Sequence, residues 1–323
     1  MHKSVVTVLT IVLLSILIIV TANIRYIAMP VAVSGVNNDR EPTIGGEPLP
    51  NRQGPGPTVN EGRRDGSQLR VMTYNIHYGT GVSGELNLEK TAAVIRAADA
   101  DIIGLQEVDR NFGERSEFQD QPRLLADLLG MHHVYGESLR TPHFSLSRGV
   151  GYYGNMILSR YPIIDSEVLR LPTKWGIEPR TALRATIATP AGEIVVWSTH
   201  LGLSGMGRQE QVKTLLSAVN REVCPSIVLG DFNALPDSAE IRLMANQLQD
   251  AGKLDQSGKG TFYVGYGQAM PRIDYVWLDE GFGASSYTII QSPASDHMAV
   301  VADVVVLSKE QAKTGNPLGE EAR

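Results

Sequence analysis

The chain has 323 residues, 42% hydrophobic and 20% charged, with a net charge of −6. That length suffices for one large or two small domains with a substantial core, and the composition is ordinary for a folded protein. The single cysteine, Cys224, excludes an internal disulfide and, lying between Val223 and Pro225 just before a strand, is expected to be inert core.

Residues 4–24, SVVTVLTIVLLSILIIVTANI, carry no charge. As a helix they would span about 30 Å, the thickness of a bilayer core. A signal-peptide core is shorter and ends in small residues, whereas Asn23-Ile24-Arg25-Tyr26 is a poor cleavage site. Residues 1–33 are therefore expected to be an uncleaved N-terminal transmembrane anchor, with a cleaved export signal as the alternative. Lys3 precedes the run and Arg25 follows it, a weak bias that places the N-terminus in the cytoplasm and the bulk of the chain outside. Residues 34–68 hold seven Gly and five Pro in 35 positions and only four large aliphatics. A packed core is unlikely at that composition, so the segment is read as a flexible linker. Folded material is expected over 69–308, followed by a polar tail, 309–323. Apportioned along the chain, this folded part carries −7. That argues against an overall polyanion-binding surface but not against a local basic wall. Seven Lys and Arg against three acids from Arg140 to Arg184 are either scattered solvated charge or a lip for a phosphate-bearing molecule.

Within the folded part, Leu69–Ile76 alternates as a strand. A helix is expected over 87–98, with Asn87 as its cap, then a strand over 101–108. Residues 121–129 read as a short helix with Pro122 in its first turn and Gly130 past its end. Strand-like runs follow at 152–159, 163–170, 181–189 and 193–199. Residues 206–222 form an amphipathic helix through Val212, Leu215, Leu216 and Val219. A strand at 226–230 leads into Asp231-Phe232-Asn233. Asp237-Ser238-Ala239-Glu240 reads as a capping box for a helix to about Leu248. The last strands are expected at 273–278, 286–291 and 298–306. Consecutive strands dominate, which favours an α+β fold or two-sheet sandwich over a doubly wound parallel sheet.

The ends of these strands collect polar residues. Asn75 closes the first and Glu107 the second. His200 closes the strand at 193–199, and Asp231 with Asn233 closes the next. Asp274 lies in PRIDYVWL, and Asp296-His297 lies in SPASDHMAVV. One strand-end Asp or Asn is commonly structural, and Asp231 and Asn233 could simply form a turn. Asp237 was expected to cap the next helix by itself, which leaves that pair free for chemistry. Carboxylates and carboxamides are hard oxygen ligands suited to Mg²⁺ or Mn²⁺. No zinc spacing, phosphate-binding GxxxxGK[ST] loop or G-x-S-x-G elbow is present. Two histidines offer a proton acceptor and a phosphate-oxygen donor, and Asp274 could orient His297. The set suits attack of water on a phosphoester.

In order along the chain, YNIHYG, LQEVD, YGNMILSRYPI, EPRTALRA, STHLGL, GDFN, RIDYV and SDH resemble the endonuclease/exonuclease/phosphatase family. The resemblance spans about 69–306. It implies a four-layer α/β sandwich: two packed, mostly antiparallel sheets flanked by helices, with the site at one sheet edge. It implies Glu107, Asn75 and Asp296 as the metal site. Asp231 and Asn233 would orient water and contact phosphate. His297 would be general base or transition-state stabiliser, with Asp274 as its partner and His200 as the second histidine. Tyr153, Asn155 and Arg180 would line the phosphate pocket. The implied activity is metal-dependent phosphodiester hydrolysis, nuclease-type in the first instance. Alternatives are a sphingomyelinase-like lipid or small-molecule phosphodiesterase, a phosphomonoesterase, or a catalytically silent binding module. The implied partners are nucleic acid or a lipid head group, and the membrane through the anchor. PRIDYV lacks the Cys-Asp-Arg signature of inositol-polyphosphate phosphatases.

Overall fold

A computed structural model describes residues 67–142, 149–174, 177–265 and 271–308. The expected anchor, all but the last two residues of the linker, and the polar tail lie outside them. Among the described residues no helix is long and apolar enough to cross a membrane.

Twelve strands form two six-stranded sheets. The first contains β1 (Gln68–Asn75), β2 (Ile102–Arg110), β3 (His132–Pro142), β4 (Val150–Ser159), β11 (Phe282–Ile290) and β12 (Ala299–Val306), in the order β11-β12-β1-β2-β4-β3. The second contains β5 (Ile163–Leu171), β6 (Arg180–Thr189), β7 (Gly192–His200), β8 (Ser226–Asp231), β9 (Gln249–Asp250) and β10 (Asp274–Leu278), in the order β5-β6-β7-β8-β10-β9. Each sheet has one parallel pair at its centre, β1 with β2 and β7 with β8; the other pairs are antiparallel. A parallel pair needs a crossover. Helix α1 (Leu88–Ala98) lies in the first crossover and α3 (Gly205–Val219) in the second. Helices α2 (Gln121–Leu129) and α4 (Ala239–Ala245) are the other α-helices among the described residues.

Period-two alternation distributes the apolar residues into layers. Val71, Ile102, Leu229, Val276 and Val300 fill the core between the sheets. Met72, Ile103, Leu105 and Leu158 face outward onto Leu88, Ile95 and Leu125 of the helices. Trp197, Val228 and Trp277 pack under Val212, Leu215 and Met244. Central strands are thus covered on both faces and read as continuous apolar runs. The sheets approach closely at Gly104, where an added Cβ would sit 2.9 Å from Leu229 Cβ.

Asn87 caps α1 by accepting from Lys90 N, and Gly130 ends α2 at φ +64°. Four expectations are corrected. Strand β3, polar and at a sheet edge, had no alternating signal to reveal it. Strand β11 begins four residues earlier than expected. The capping box at Asp237 does not form: Ser238 occupies the cap position without a side-chain hydrogen bond, and Glu240 turns instead to the Arg208 guanidinium at 2.6 Å. Cys224 is half-buried at the margin of the core, so it is less enclosed than expected.

Candidate active site

The two parallel pairs bring four strand ends to one edge. Asn75 and Glu107 come from the first sheet, His200 and Asp231 from the second. Asp274 begins β10 directly opposite Asp231 in the ladder, and Asp296-His297 precede β12 at the same edge. Strand direction therefore assembles residues as far apart as 75 and 297.

Glu107 owes its position to a β-bulge. Leu105 pairs with Met156 and Val108 with Gly154, so Gln106 and Glu107 together oppose Asn155. Glu107 takes a φ of +57°. A non-glycine residue adopts that conformation at some cost, and bulges re-aim side chains. Gln106 stays buried between the sheets, bonded to Thr73 and Ser198, while the Glu107 side chain keeps 20% exposure. Asn233 is also left-handed, at φ +48°.

Asn75 is the hub. Its Nδ2 lies 3.1 Å from Glu107 Oε1, 3.1 Å from Asp231 Oδ2 and 3.4 Å from His297 Nε2. Its Oδ1 accepts from His77 N at 3.0 Å. Asp231 Oδ1 accepts from Asn233 N at 2.8 Å. The Asn233 amide donates to Leu201 O and to His200 Nε2, both at 3.0 Å. His200 Nε2 also lies 3.3 Å from Asp231 Oδ2, and its Nδ1 is buried without a hydrogen-bond partner, 4.0 Å from Glu107 Oε1. The Asp274 carboxylate holds His297 Nδ1 at 3.0 and 3.2 Å. Thr261 fixes the Asp274 backbone, and Ser295 fixes that of His297.

Electrostatics separate these groups. Burial raises the Asp231 carboxyl to about 7, against the pull of His297 and its hydrogen bonds. Burial alone would lower His297, but the Asp274 and Asp231 carboxylates outweigh it and hold the imidazolium up to about 10. Burial, with Arg180 and His297 nearby, holds His200 well below 6.5 and neutral. Pairs whose environments push them apart are how acid and base roles divide.

The pocket wall is cationic and aromatic. Arg180 is buried, with Nη1 on Glu178 at 3.1 Å and Nε without a partner. Burial opposes its charge, but Glu178, Tyr153, Glu107 and Asp231 outweigh that. Burial keeps the Tyr153 phenol protonated. Asn155 spends its amide on Thr181, bonding the oxygen at 3.0 Å, and so ties β4 to β6. Of the basic stretch, Arg160 and Arg184 are committed to ion pairs elsewhere. Two residues were not singled out from the sequence. His77 Nδ1 lies 3.7 Å from Asp296, and lay unremarked in the YNIHYG motif. Arg115, bidentate to Asp109, stacks over Tyr78 at 4.3 Å and Phe112 at 4.2 Å; no local pattern announces it.

Asp231, Asp274 and His297 place ligand atoms within 4.8 Å of one another. That buried trio already satisfies itself with hydrogen bonds and suits proton handling better than a hydrated cation. Glu107 and Asp296, with side chains 20% and 33% exposed, present the open oxygen ligands that a cation keeping several waters requires. The oxygen donor set fits a divalent metal.

Known proteins share this arrangement of sheets. The chain is 32% identical over 180 residues to the uncharacterized protein YbhP of Escherichia coli (strain K12), an alignment covering 51% of this chain and 66% of that protein. It thus spans just under two thirds of that relative's length. The endonuclease/exonuclease/phosphatase from Beutenbergia cavernae DSM 12333 superposes with a TM-score of 0.66 at 30% identity, covering 74% of this chain and 72% of that one. The human nocturnin catalytic domain, solved with a bound sulfate anion, superposes with a TM-score of 0.56 at 25% identity, covering 75% and 94%. The sequence model of the Endonuclease/Exonuclease/phosphatase family matches residues 72–297, from the middle of β1 to His297. Since that match takes in every strand from within β1 to β11 and every strand end that meets at the edge, the chain belongs to the endonuclease/exonuclease/phosphatase family.

Proposed function

We propose that the protein hydrolyses a phosphodiester by activated water with a divalent metal, Mg²⁺ or Mn²⁺. The observation that carries this reading is the buried chain Asp274–His297–Asp231–Asn233–His200, in which the His297 imidazolium Nε2 lies 3.6 Å from Asp231 Oδ2 while Asn75 Nδ2, from the other sheet, donates to the same carboxylate. Asp231, raised to about 7, is poised to take a proton from water near neutral pH. His297, charged below about 10, donates to a phosphoryl oxygen through Nε2 while Asp274 holds its other nitrogen. The unpartnered Arg180 Nε is a donor awaiting an anion. A metal on Glu107 and Asp296 would supply neutralisation of the charge that develops in the transition state. The uncharged run at 4–24 and the composition of 34–68 support a membrane-tethered enzyme with its catalytic domain outside the cytoplasm; export with cleavage is the alternative.

The test is turnover of bis(4-nitrophenyl) phosphate with Mg²⁺, with EDTA, and by Asp231→Asn and His297→Ala. Each variant is expected to lose about 10²–10⁴-fold, the scale of a general acid or base. A folded, metal-loaded wild type as inactive as both variants on every phosphoester would instead favour a binding module.

A further inference from the structure

We propose that the catalytic edge docks on a lipid bilayer and takes its phosphodiester from a lipid presented there; this rests on the phosphodiesterase reading above. Ten large hydrophobic side chains are exposed among the described residues, and six lie at the catalytic edge, five on loops and Met206 in the first turn of α3. Val82 follows β1, Ile177 precedes β6, Leu203 and Met206 follow β7, Leu235 follows β8 and Val264 precedes β10. Strand direction places them together. β1, β7 and β8 run toward this edge, while β6 and β10 run away from it. Leu203 is 76% exposed and Met206 73%, three and six residues beyond His200; Leu235 is 50% exposed, two beyond Asn233. Single exposed apolar residues need no explanation, but a set gathered around one polar mouth marks an interaction surface.

The chemistry of this rim favours lipid over nucleic acid. Nucleic-acid binding draws on uncommitted Lys and Arg that neutralise phosphates. The folded part carries a net −7, and of the guanidiniums near the mouth Arg115 is engaged with Asp109 and Arg208 with Glu240, while Arg180, paired with Glu178 through Nη1, keeps only Nε for the single phosphate of the site. The chain itself supplies a reason to be at a bilayer. Its 21-residue uncharged run ends at Ile24, and 42 residues separate it from Ser67. β1 begins at the edge away from the site and its eight residues span about 26 Å. A flexible chain of that many residues can reach roughly 36 Å root-mean-square, more than the length of β1.

The test uses the full chain in vesicles of phosphatidylethanolamine and phosphatidylglycerol. In a Cys224→Ser background, an environment-sensitive fluorophore is placed through Leu203→Cys, or through Ile164→Cys at the opposite edge. The expected result is a blue-shifted emission shielded from aqueous iodide at 203 and a water-exposed probe at 164. Equal exposure at both positions, or shielding at 164 alone, overturns the proposal. In parallel, Leu203→Ser combined with Met206→Ser is expected to lower turnover of vesicle phospholipid at least tenfold, since each buried side chain of this size is worth about a factor of ten. Turnover of soluble bis(4-nitrophenyl) phosphate should be unchanged. If that pair instead impairs plasmid nicking while the 203 probe stays wet, the surface serves nucleic acid and the lipid proposal falls. Because the probe reads docking without turnover, an inactive wild type would count against the phosphodiesterase reading and not against the docking result.

Discussion

Asp274→Asn isolates the charge on His297. In the wild type the Asp274 carboxylate, 3.0 Å from Nδ1, is the main influence holding the imidazolium up to about 10 against burial. The amide keeps the shape and a hydrogen-bond acceptor but loses the charge. His297 then falls to its ordinary value of about 6.5 or below. At pH 7.5 about one-tenth of the rings at most would remain charged. Asp231, at about 7, must be deprotonated in the same complex. The two limbs then cross, and the joint population of base-plus-acid forms peaks at roughly one-tenth near neutrality. The variant should therefore show at least a tenfold loss at pH 7.5. Its alkaline limb should move from near pH 10 to about 6.5. The assay is kcat for bis(4-nitrophenyl) phosphate from pH 5.5 to about 10, with circular dichroism at each pH to confirm folding. An alkaline limb left in place, or a loss equal at all pH values, would refute an imidazolium role.

Stability should carry the same signature. The folded value for His297 exceeds the unfolded one, so its contribution is full below about pH 6.5 and is lost as the pH rises through about 10. In EDTA, the gap in urea midpoint between wild type and His297→Asn should narrow over that window; a gap that widens contradicts the assignment. Glu107→Ala should raise the Mg²⁺ concentration for half-maximal activity at least about tenfold, with a melting temperature within a few degrees of wild type. Unchanged activity at limiting Mg²⁺ would remove Glu107 from the metal site. Gly104→Val forces a side chain to within 2.9 Å of Leu229 between the sheets, and should cost about 1–3 kcal/mol by urea unfolding. Wild-type stability in this variant would mean that the sheets are not packed that closely.

Much of the site was legible because of one physical regularity. Buried central strands read as unbroken apolar runs, so a polar side chain at their end stands out. Asn75, His200 and Asp231 declared themselves that way, and Asp274 and His297 did so at strand beginnings. Strand β3, HHVYGESLRTP, did not, because an edge strand has no need of apolar residues on both faces. Asp237 misled, because a capping motif states a local preference that the Arg208–Glu240 ion pair overrode.

The amino-acid order by itself determined most of the strands and helices and the chemical types gathered at the strand ends, since period and polarity are local properties. Only the tertiary structure decided their roles. The bulge at Gln106–Glu107 needs a partner strand against which to be one residue too long. The His297 charge depends on a carboxylate 23 residues away and on burial by two sheets. The Arg115 stack joins separate segments, and the apolar rim exists only where strand direction brings five connections to one edge. Electrostatics and exposure depend on distance in space, and the folded chain alone sets that distance.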